Sequence, residues 1–240
     1  STASYQQTSG TGVRKICGYL LQPDSCWASI RRAGSTTPSE RTEAWAIWNE
    51  LRIELNVGQL LDLIGSARHE RRWFKAERIC RYKSGKYTIE RPLHLGALLA
   101  APERSDELLP ALSRYGLPLG DAFQMRDDVM GAFGDPELTG KAVGADLRDG
   151  KPTPLLAIAT ERTNPAQREV LARVGAADLT DDEVAAIQRV IVECGALAEM
   201  EATISRLTDE AVTAIASAPI TEAARHELVE LAHYVSARQS

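Results

Sequence analysis

From Thr42 onward the sequence is dominated by helical signals, and this pattern constrains the fold more than any other feature of the chain. In the first helical stretch, Trp48, Leu51 and Leu55 recur at the three- and four-residue spacing that places apolar side chains on one helix face. Strand signals are nearly absent, because the best candidate, residues 87–90, is short and flanked by glycine. The sequence therefore predicts an all-α protein that is built as one layered helical bundle.

Residues with special backbone preferences indicate where the first helices end. A second helix is expected to start near Ser66, to run through a basic stretch and to break around Ser84–Gly85. Another helix should begin at Tyr87 or later, and Pro102 should stop it.

Further along the chain, the same signals predict three more helix boundaries. Ser105 is expected to cap a helix that ends at Gly116. Pro118 should then open the next helix as its first-turn proline, with Gly134 as the terminator. The sequence Thr-Asp-Asp-Glu at 180–183 has the capping-box pattern, which predicts another helix start.

The segment 1–41 differs from the rest, since it has scattered glycine and proline and no helical period. We expect a poorly organised segment over 1–41 and one helical domain over 42–240. No apolar run approaches the roughly 20 residues that span a bilayer, and the polar start lacks a signal-peptide pattern. The cysteines are far apart, which argues against a disulfide framework and fits a reducing cytoplasm. They are Cys17, Cys26, Cys80 and Cys194.

Charge is unevenly distributed along the chain. The chain carries 28 Lys and Arg against 33 Asp and Glu, a net charge of −5. The segment 68–91, however, holds nine of the basic residues and only three acidic ones. This basic segment is either a solvated helix face or a surface that attracts a multiply charged anion. We expect no nucleic-acid partner, because the chain pI of about 5.5 lies below the basic range of such proteins.

The most informative motif is GDAFQMRDDVMGAFGD at 120–135. On a helix, Gly120, Gln124, Asp127 and Gly131 fall within an arc of about 60°, with Asp128 just beside it. The glycines would let a ligand approach the backbone, and carboxylates are the hard ligands that Mg²⁺ prefers beside substrate phosphates. The alternative interpretation of the aspartate pair is a solvated acidic turn of an amphipathic helix. The opposite side is expected to be core and carries Leu119, Phe123, Val129, Met130 and Phe133.

The loop that follows does not match a nucleotide-binding P-loop. Five residues rather than four separate Gly134 from Gly140, and Ala142 follows Lys141 where a P-loop has Ser or Thr. We therefore reject nucleotide binding by this loop.

Three segments resemble motifs of one known family. FQMRDDVMGAFGDPELTGKAVGADLRDGKPT at 123–153 is similar to the second aspartate-rich motif and lysine loop of the trans-isoprenyl diphosphate (polyprenyl) synthases. KSGKYTIERPLHLGALLA at 83–100 is similar to their Lys-Thr phosphate motif, with Ser84 replacing the threonine, and ELNVGQLLDL at 54–63 to the helix with their pocket glutamine. The motifs occur in the family's order, and the resemblance is closest to actinobacterial geranylgeranyl diphosphate synthases.

The resemblance implies an all-α, isoprenoid synthase-type helical bundle and the activity of a Mg²⁺-dependent prenyltransferase. Such an enzyme ionises an allylic diphosphate to a carbocation, which isopentenyl diphosphate attacks before a proton is lost. It also implies a homodimer, or a heteromer with a paralogue.

By matching position, the resemblance assigns a role to nine residues. Asp127 and Asp128 would bind the metal, and Lys83 and Lys141 would stabilise the leaving diphosphate. The expected substrate-binding residues are Gln59, Ser84, Tyr87, Gln124 and Lys151.

Two features depart from the family pattern. The last aspartate of the second motif is Gly131 here. The first aspartate-rich motif is missing, because residues 1–61 contain a single aspartate, Asp24. We therefore expect a bundle that is truncated at its N-terminal side. A non-catalytic subunit or remnant that binds diphosphate or a paralogue is the alternative to an active synthase.

Overall fold

The computed structural model describes residues 38–134 and 142–238, with side chains described from Thr42. These residues form helices and contain no strand, which confirms the all-α prediction. The helices are α1 (Pro38–Ala67), α2 (Trp73–Cys80), a π-helical segment (Arg81–Glu90), α3 (Arg91–Ala100), a 3₁₀ turn (Pro102–Arg104), α4 (Ser105–Phe133), α5 (Ala145–Arg148), α6 (Pro154–Arg162), α7 (Pro165–Leu171), α8 (Asp181–Glu193), α9 (Ala196–Ala216) and α10 (Glu222–Ala237).

The division predicted at residue 41 falls at the start of α1. Residues 1–37 lie outside the described part of the chain, and the helix already begins at Pro38. The predicted apolar seam is present, because Trp48 and Leu51 are buried against Leu95 and Leu98 of α3. Across the described residues, no helix combines the length and apolar character needed to cross a bilayer.

The basic stretch folds differently from the prediction. The first α-helix after the turn at 68–72 begins at Trp73 rather than near Ser66. Instead of a break at Ser84–Gly85, the chain forms a π-helix that continues into α3. Gly85 allows this, since it is buried against the backbone of Gly120, and a wider turn supported by packing replaces the expected interruption.

Helix α4 is continuous from Ser105 to Phe133, whereas the sequence predicted a break between Gly116 and Pro118. The surrounding helices bury the middle of α4, including Leu119, and this packing outweighs the local cost of an interior proline. Arg104, not Ser105, occupies the cap position, and its side chain makes no capping hydrogen bond.

The C-terminal part follows its local signals closely. The Thr180 side chain accepts a hydrogen bond from the Glu183 amide, and the Glu183 side chain accepts one from the Thr180 amide, which confirms the predicted capping box. Helices α8 and α9 then pack on the C-terminal half of α4 in a cluster that includes Ile187, Met200 and Ile204. This cluster holds α4 in a fixed place, and α4 carries the aspartate pair.

Candidate functional site

A cavity of about 220 Å³ lies between α1, α2, the π-helical segment, α4 and the chain around α5. Its walls combine carboxylates, lysines and hydrogen-bonding side chains with a few apolar ones. The lining residues are Asp62, Ile79, Cys80, Lys83, Ser84, Phe123, Gln124, Asp127, Asp128, Asp146, Lys151, Pro152 and Thr153.

Six of the nine residues assigned by the sequence line this one cavity. They are Lys83, Ser84, Gln124, Asp127, Asp128 and Lys151. Lys141 lies outside the described residues. The chain thus brings together side chains that are up to 68 positions apart in the sequence.

Gln59 and Tyr87 are not among the residues that line the cavity, and their substrate-binding roles stay predictions. Gln59 is exposed on α1, and Asp62, three residues later, faces the cavity instead. Tyr87 packs against the apolar cluster that α1 forms with α3. Gly58 and Asp62, four residues apart, share the helix face that packs on Lys83, whereas the Gln59 side chain beside that face is exposed.

An ion pair between α1 and the π-helical segment sets the position of Lys83. Its Nζ lies 2.6 Å from Asp62 Oδ2, and both side chains are largely buried. The two backbones approach closely because Gly58 has no side chain: a Cβ at this position would lie 2.6 Å from Lys83 Cα. The glycine therefore places the lysine, and Asp62 holds its ammonium at the cavity.

The other basic residues of the π-helical segment, and Arg91 at the start of α3, are paired with carboxylates of neighbouring helices. Lys86 and Arg91 share Glu54 of α1, with donor–acceptor distances of 2.5 and 2.8 Å. Arg81 pairs with the buried Asp121 of α4. Local carboxylates thus offset much of the positive charge seen in the sequence, and within this segment Lys83 is the cation that lines the cavity.

The adjacent aspartates of α4 have different environments. Asp128 is only 4% exposed, and its carboxylate accepts hydrogen bonds from Gln124 Nε2 at 2.8 Å and Cys80 Sγ at 3.8 Å. Burial raises the pKa of Asp128 to about 8, and the nearby charges of Asp146 and Asp127 add to this effect. Asp127 has a side chain that is 38% exposed, so it is accessible to a ligand in the cavity.

The chain around α5 supplies the second cavity lysine. Lys151 forms an ion pair with the buried Asp146, and Asp149 Oδ2 lies 3.8 Å from the same ammonium. Burial alone would lower the pKa of Lys151, but the hydrogen bond and charge of Asp146 outweigh it and raise that pKa. Lys151 is therefore positively charged at neutral pH.

The space beside each of the two glycines of the motif is filled by other parts of the chain, contrary to the prediction that it would admit a ligand. A Cβ at Gly120 would lie 2.6 Å from the carbonyl oxygen of Gly85. A Cβ at Gly131 would collide with the carboxylate of Asp146. Phe123, predicted to be core, packs against one of the apolar core clusters and also forms one wall of the cavity.

Four functional candidates were missed by sequence reasoning: Asp62, Cys80, Asp146 and Arg238. Asp62 carried a signal, since it follows the apolar seam of α1 at helical spacing. Arg238 carried none: it stacks 3.9 Å from the ring centroid of Phe123 and approaches Asp127 at 3.7 Å. Contacts over such sequence distances arise only from the tertiary fold.

The donor set fits magnesium bound together with a phosphate ligand. Across residues 38–134 and 142–238, no three His, Cys, Asp or Glu side chains are arranged to enclose a metal ion. Mg²⁺, however, is commonly held by one or two carboxylates plus substrate phosphates and water. Asp127 and Asp128 provide such carboxylates, and Lys83 and Lys151 provide the charge that a phosphate needs.

Comparison with solved structures finds the same fold. A geranylgeranyl pyrophosphate synthase from Corynebacterium glutamicum, complexed with isoprenyl diphosphate and magnesium, superposes with a TM-score of 0.78 at 36% identity. The match covers 84% of this chain and 57% of that one. A polyprenyl synthase from Caulobacter crescentus, complexed with calcium and isoprenyl diphosphate, gives a TM-score of 0.76 at 26% identity, with 90% and 63% covered.

Comparison by sequence gives the same family. A geranylfarnesyl diphosphate synthase of Aeropyrum pernix is 29% identical over 188 residues, 78% of this chain and 57% of that protein. A (2E,6E)-farnesyl diphosphate synthase of Mycobacterium bovis is 36% identical over 151 residues, 61% and 41% of the two chains. The chain thus spans about half the length of these relatives. The model of the protein family described as Polyprenyl synthetase matches residues 24–191. The chain therefore belongs to this family of prenyltransferases.

Proposed function

We propose that this chain condenses isopentenyl diphosphate with an allylic diphosphate in a Mg²⁺-dependent reaction. The observation that carries the proposal is the single cavity in which Asp127 and Asp128 lie with Lys83 and Lys151. Its support is the family fold, which in the C. glutamicum structure accompanies isoprenyl diphosphate and magnesium.

The lysines stabilise the departing group. Diphosphate leaves an allylic carbon only when its growing negative charge is neutralised. Lys83 and Lys151 present fixed ammonium groups for this purpose, because each is already held by a buried carboxylate, Asp62 and Asp146. A preorganised cation needs no rearrangement at the moment of reaction.

The remaining polar residues orient the ligand. Asp127 and Asp128 would hold Mg²⁺, which when bound supplies positive charge to the diphosphate oxygens. Gln124 fixes the Asp128 carboxylate by its hydrogen bond of 2.8 Å, and Ser84 adds a hydroxyl to the lining. Lys141, outside the described residues, is proposed as a further diphosphate contact by its matching position.

We also propose that the chain forms a homodimer through α1. Ile53, Val57, Leu60 and Ile64 are exposed large apolar residues at the four-, three- and four-residue spacing of a helix–helix seam. Ile53 is 63% exposed and Leu60 57%. A second copy of this chain is the proposed occupant, since an uncharged stripe is self-complementary across a two-fold axis.

The free thiols of Cys80 and Cys194 support the proposed cytoplasmic location.

The activity is tested by incubating the chain with Mg²⁺, isopentenyl diphosphate and labelled allylic diphosphates of different lengths. The proposal predicts a Mg²⁺-dependent extended product. Absence of any extended product across a wide range of Mg²⁺ concentrations contradicts the catalytic proposal. Light scattering on the same preparation tests the dimer, and Leu60→Asp should yield a monomer.

A second candidate function is a non-catalytic subunit that binds diphosphate or a paralogue. The observation that favours it is the single aspartate, Asp24, in residues 1–61, where the family's first aspartate-rich motif is expected. This function predicts binding of Mg²⁺ and pyrophosphate without turnover, and recovery of activity when the chain is mixed with a complete paralogue. An extended product from the chain alone would exclude it.

A further inference from the structure

The cavity contains a carboxylate that reaches the aspartate face of α4 from a different part of the chain. After Asp127 and Asp128, the helix has Gly131, which offers no side chain. Asp146 of α5 fills the space: its Oδ1 lies 3.0 Å from the position of a Cβ at residue 131, and its Oδ2 is closer still. Asp146 is buried and lines the same cavity as the aspartate pair.

The chain segment from Asp146 to Lys151 closes on itself. The Lys151 amide donates a hydrogen bond of 3.1 Å to the carbonyl oxygen of Asp146, and the Lys151 ammonium pairs with the Asp146 carboxylate. Gly150 allows the turn to pack closely on a second chain segment, because the Cα of Gly175 lies 2.9 Å from where a Gly150 Cβ would be. The backbone and the ion pair together fix where the ammonium lies.

We infer that Asp146 is a positioning residue for diphosphate binding: its carboxylate occupies the volume of the absent side chain at position 131 and holds the Lys151 ammonium at the cavity. The inference rests on the proposed function, since the bound anion is the diphosphate of that reaction. It makes the two positions interdependent, so that glycine is required at 131 because aspartate is present at 146.

The physical benefit is preorganisation. A lysine side chain has about four rotatable bonds, and fixing them on ligand binding costs conformational entropy. The ion pair with Asp146 fixes it before the ligand arrives, so this cost no longer reduces the affinity. The negative charge of Asp146 does not exclude the ligand, because diphosphate is bound with Mg²⁺ and because Lys151 balances that charge.

Calorimetric titration with inorganic pyrophosphate and Mg²⁺ tests the inference on the full chain. Asp146→Asn keeps the shape of the side chain and removes its charge, so we expect binding to weaken about tenfold or more, as for loss of a charged hydrogen bond. Asp149→Asn is the matched control, since that carboxylate is exposed, lies 3.8 Å from the same ammonium and does not line the cavity. The control should bind as the unmodified chain does.

A double-mutant cycle separates positioning from general stabilisation. If Asp146 acts through Lys151, adding Asp146→Asn to Lys151→Met should weaken pyrophosphate binding little beyond Lys151→Met alone. Independent, additive losses overturn the inference. Thermal unfolding of each variant shows that the fold is retained.

Gly131→Ala provides a second variant that keeps both charged residues. Its Cβ would displace the Asp146 carboxylate, so weakened pyrophosphate binding is expected in a folded protein. If the unmodified chain binds pyrophosphate but Gly131→Ala and Asp146→Asn bind equally well, the inference fails and the proposed function stands. If the unmodified chain binds none, both fail.

Discussion

Lys83 and Asp62 form an ion pair, with Nζ 2.6 Å from Oδ2, that joins the π-helical segment to α1 at the wall of the cavity. The pair brings a residue of one family-like motif into contact with a residue of another, 21 positions earlier. Its geometry depends on the close approach of two backbones at Gly58. The position of a proposed diphosphate contact is therefore determined by a residue without a side chain.

Gly58→Ala should destabilise the chain and weaken pyrophosphate binding. The added methyl group would meet the backbone of Lys83 and Tyr82, and such overpacking costs about 1–3 kcal/mol. Urea unfolding and calorimetric titration with Mg²⁺ and pyrophosphate measure the two effects. Gly96→Ala in α3 is the control, because nothing lies within 4 Å of its Cβ position. It should stabilise the helix by about 0.5–1 kcal/mol. Equal behaviour of the two variants would contradict the packing argument.

Asp127→Ala should abolish most of the turnover without unfolding the chain. Its half-exposed side chain faces the cavity, and loss of one charge-stabilising group commonly lowers a rate by about 10²–10³. Initial rates of product extension and thermal unfolding are the two measurements. Unchanged rates would remove the metal-binding role from this residue, and Asp149→Ala should remain as active as the unmodified chain.

The stability of the metal-free chain should depend on pH through Asp128. Its pKa of about 8 in the folded chain lies above the ordinary value of an aspartate, so the folded chain retains a proton that the unfolded chain releases. The free energy of unfolding should therefore fall as pH rises between about pH 4 and about pH 8, by at most about 1.4 kcal/mol per pH unit.

Asp128→Asn cannot titrate and isolates this effect. Relative to the unmodified chain, the variant should become steadily more stable as the pH is raised, because only in the unmodified chain does folding require the uptake of a proton. Urea unfolding without divalent cations, between about pH 5 and about pH 8, measures the difference. Parallel stability curves for the two proteins would show that Asp128 is ionised in its buried position.

Thr180→Ala should reduce stability by about 1 kcal/mol through loss of the N-cap of α8. The Thr180 hydroxyl accepts a hydrogen bond of 3.3 Å from the Glu183 amide, and alanine leaves that amide without this partner. Thr213→Ala, on the exposed surface of α9, should be neutral or slightly stabilising because alanine favours a helix. Thermal unfolding distinguishes the two variants, and equal midpoints would mean that the cap contributes nothing.

Local sequence signals predicted the helix content and some boundaries, but packing decided others. The capping box at Thr180 formed as predicted, because both of its hydrogen bonds lie within four residues. The break predicted at Gly116 and Pro118 did not form, because α4 is buried there by other helices. Glycine and proline report local preference only, and a glycine such as Gly116 also permits contact with the backbone of Glu90, 3.0 Å from its Cβ position.

The candidate site was predictable where a motif matched and not elsewhere. Lys83, Asp127 and Lys151 could be assigned from the sequence because each belongs to a motif with a known order. The roles of the partners Asp62 and Asp146 follow from tertiary packing, namely the approach of two backbones at Gly58 and the Asp146 carboxylate that lies against Gly131. Gln59 shows the converse, because its motif is present but its side chain lies outside the cavity.

The most direct test of the diphosphate site is a crystal structure of the chain grown with Mn²⁺ and inorganic pyrophosphate. Anomalous scattering would locate the metal, and we predict it beside Asp127 with the pyrophosphate between Lys83 and Lys151. Metal and anion bound elsewhere on the protein, or a cavity that stays free of both at saturating concentrations, would contradict the assignment.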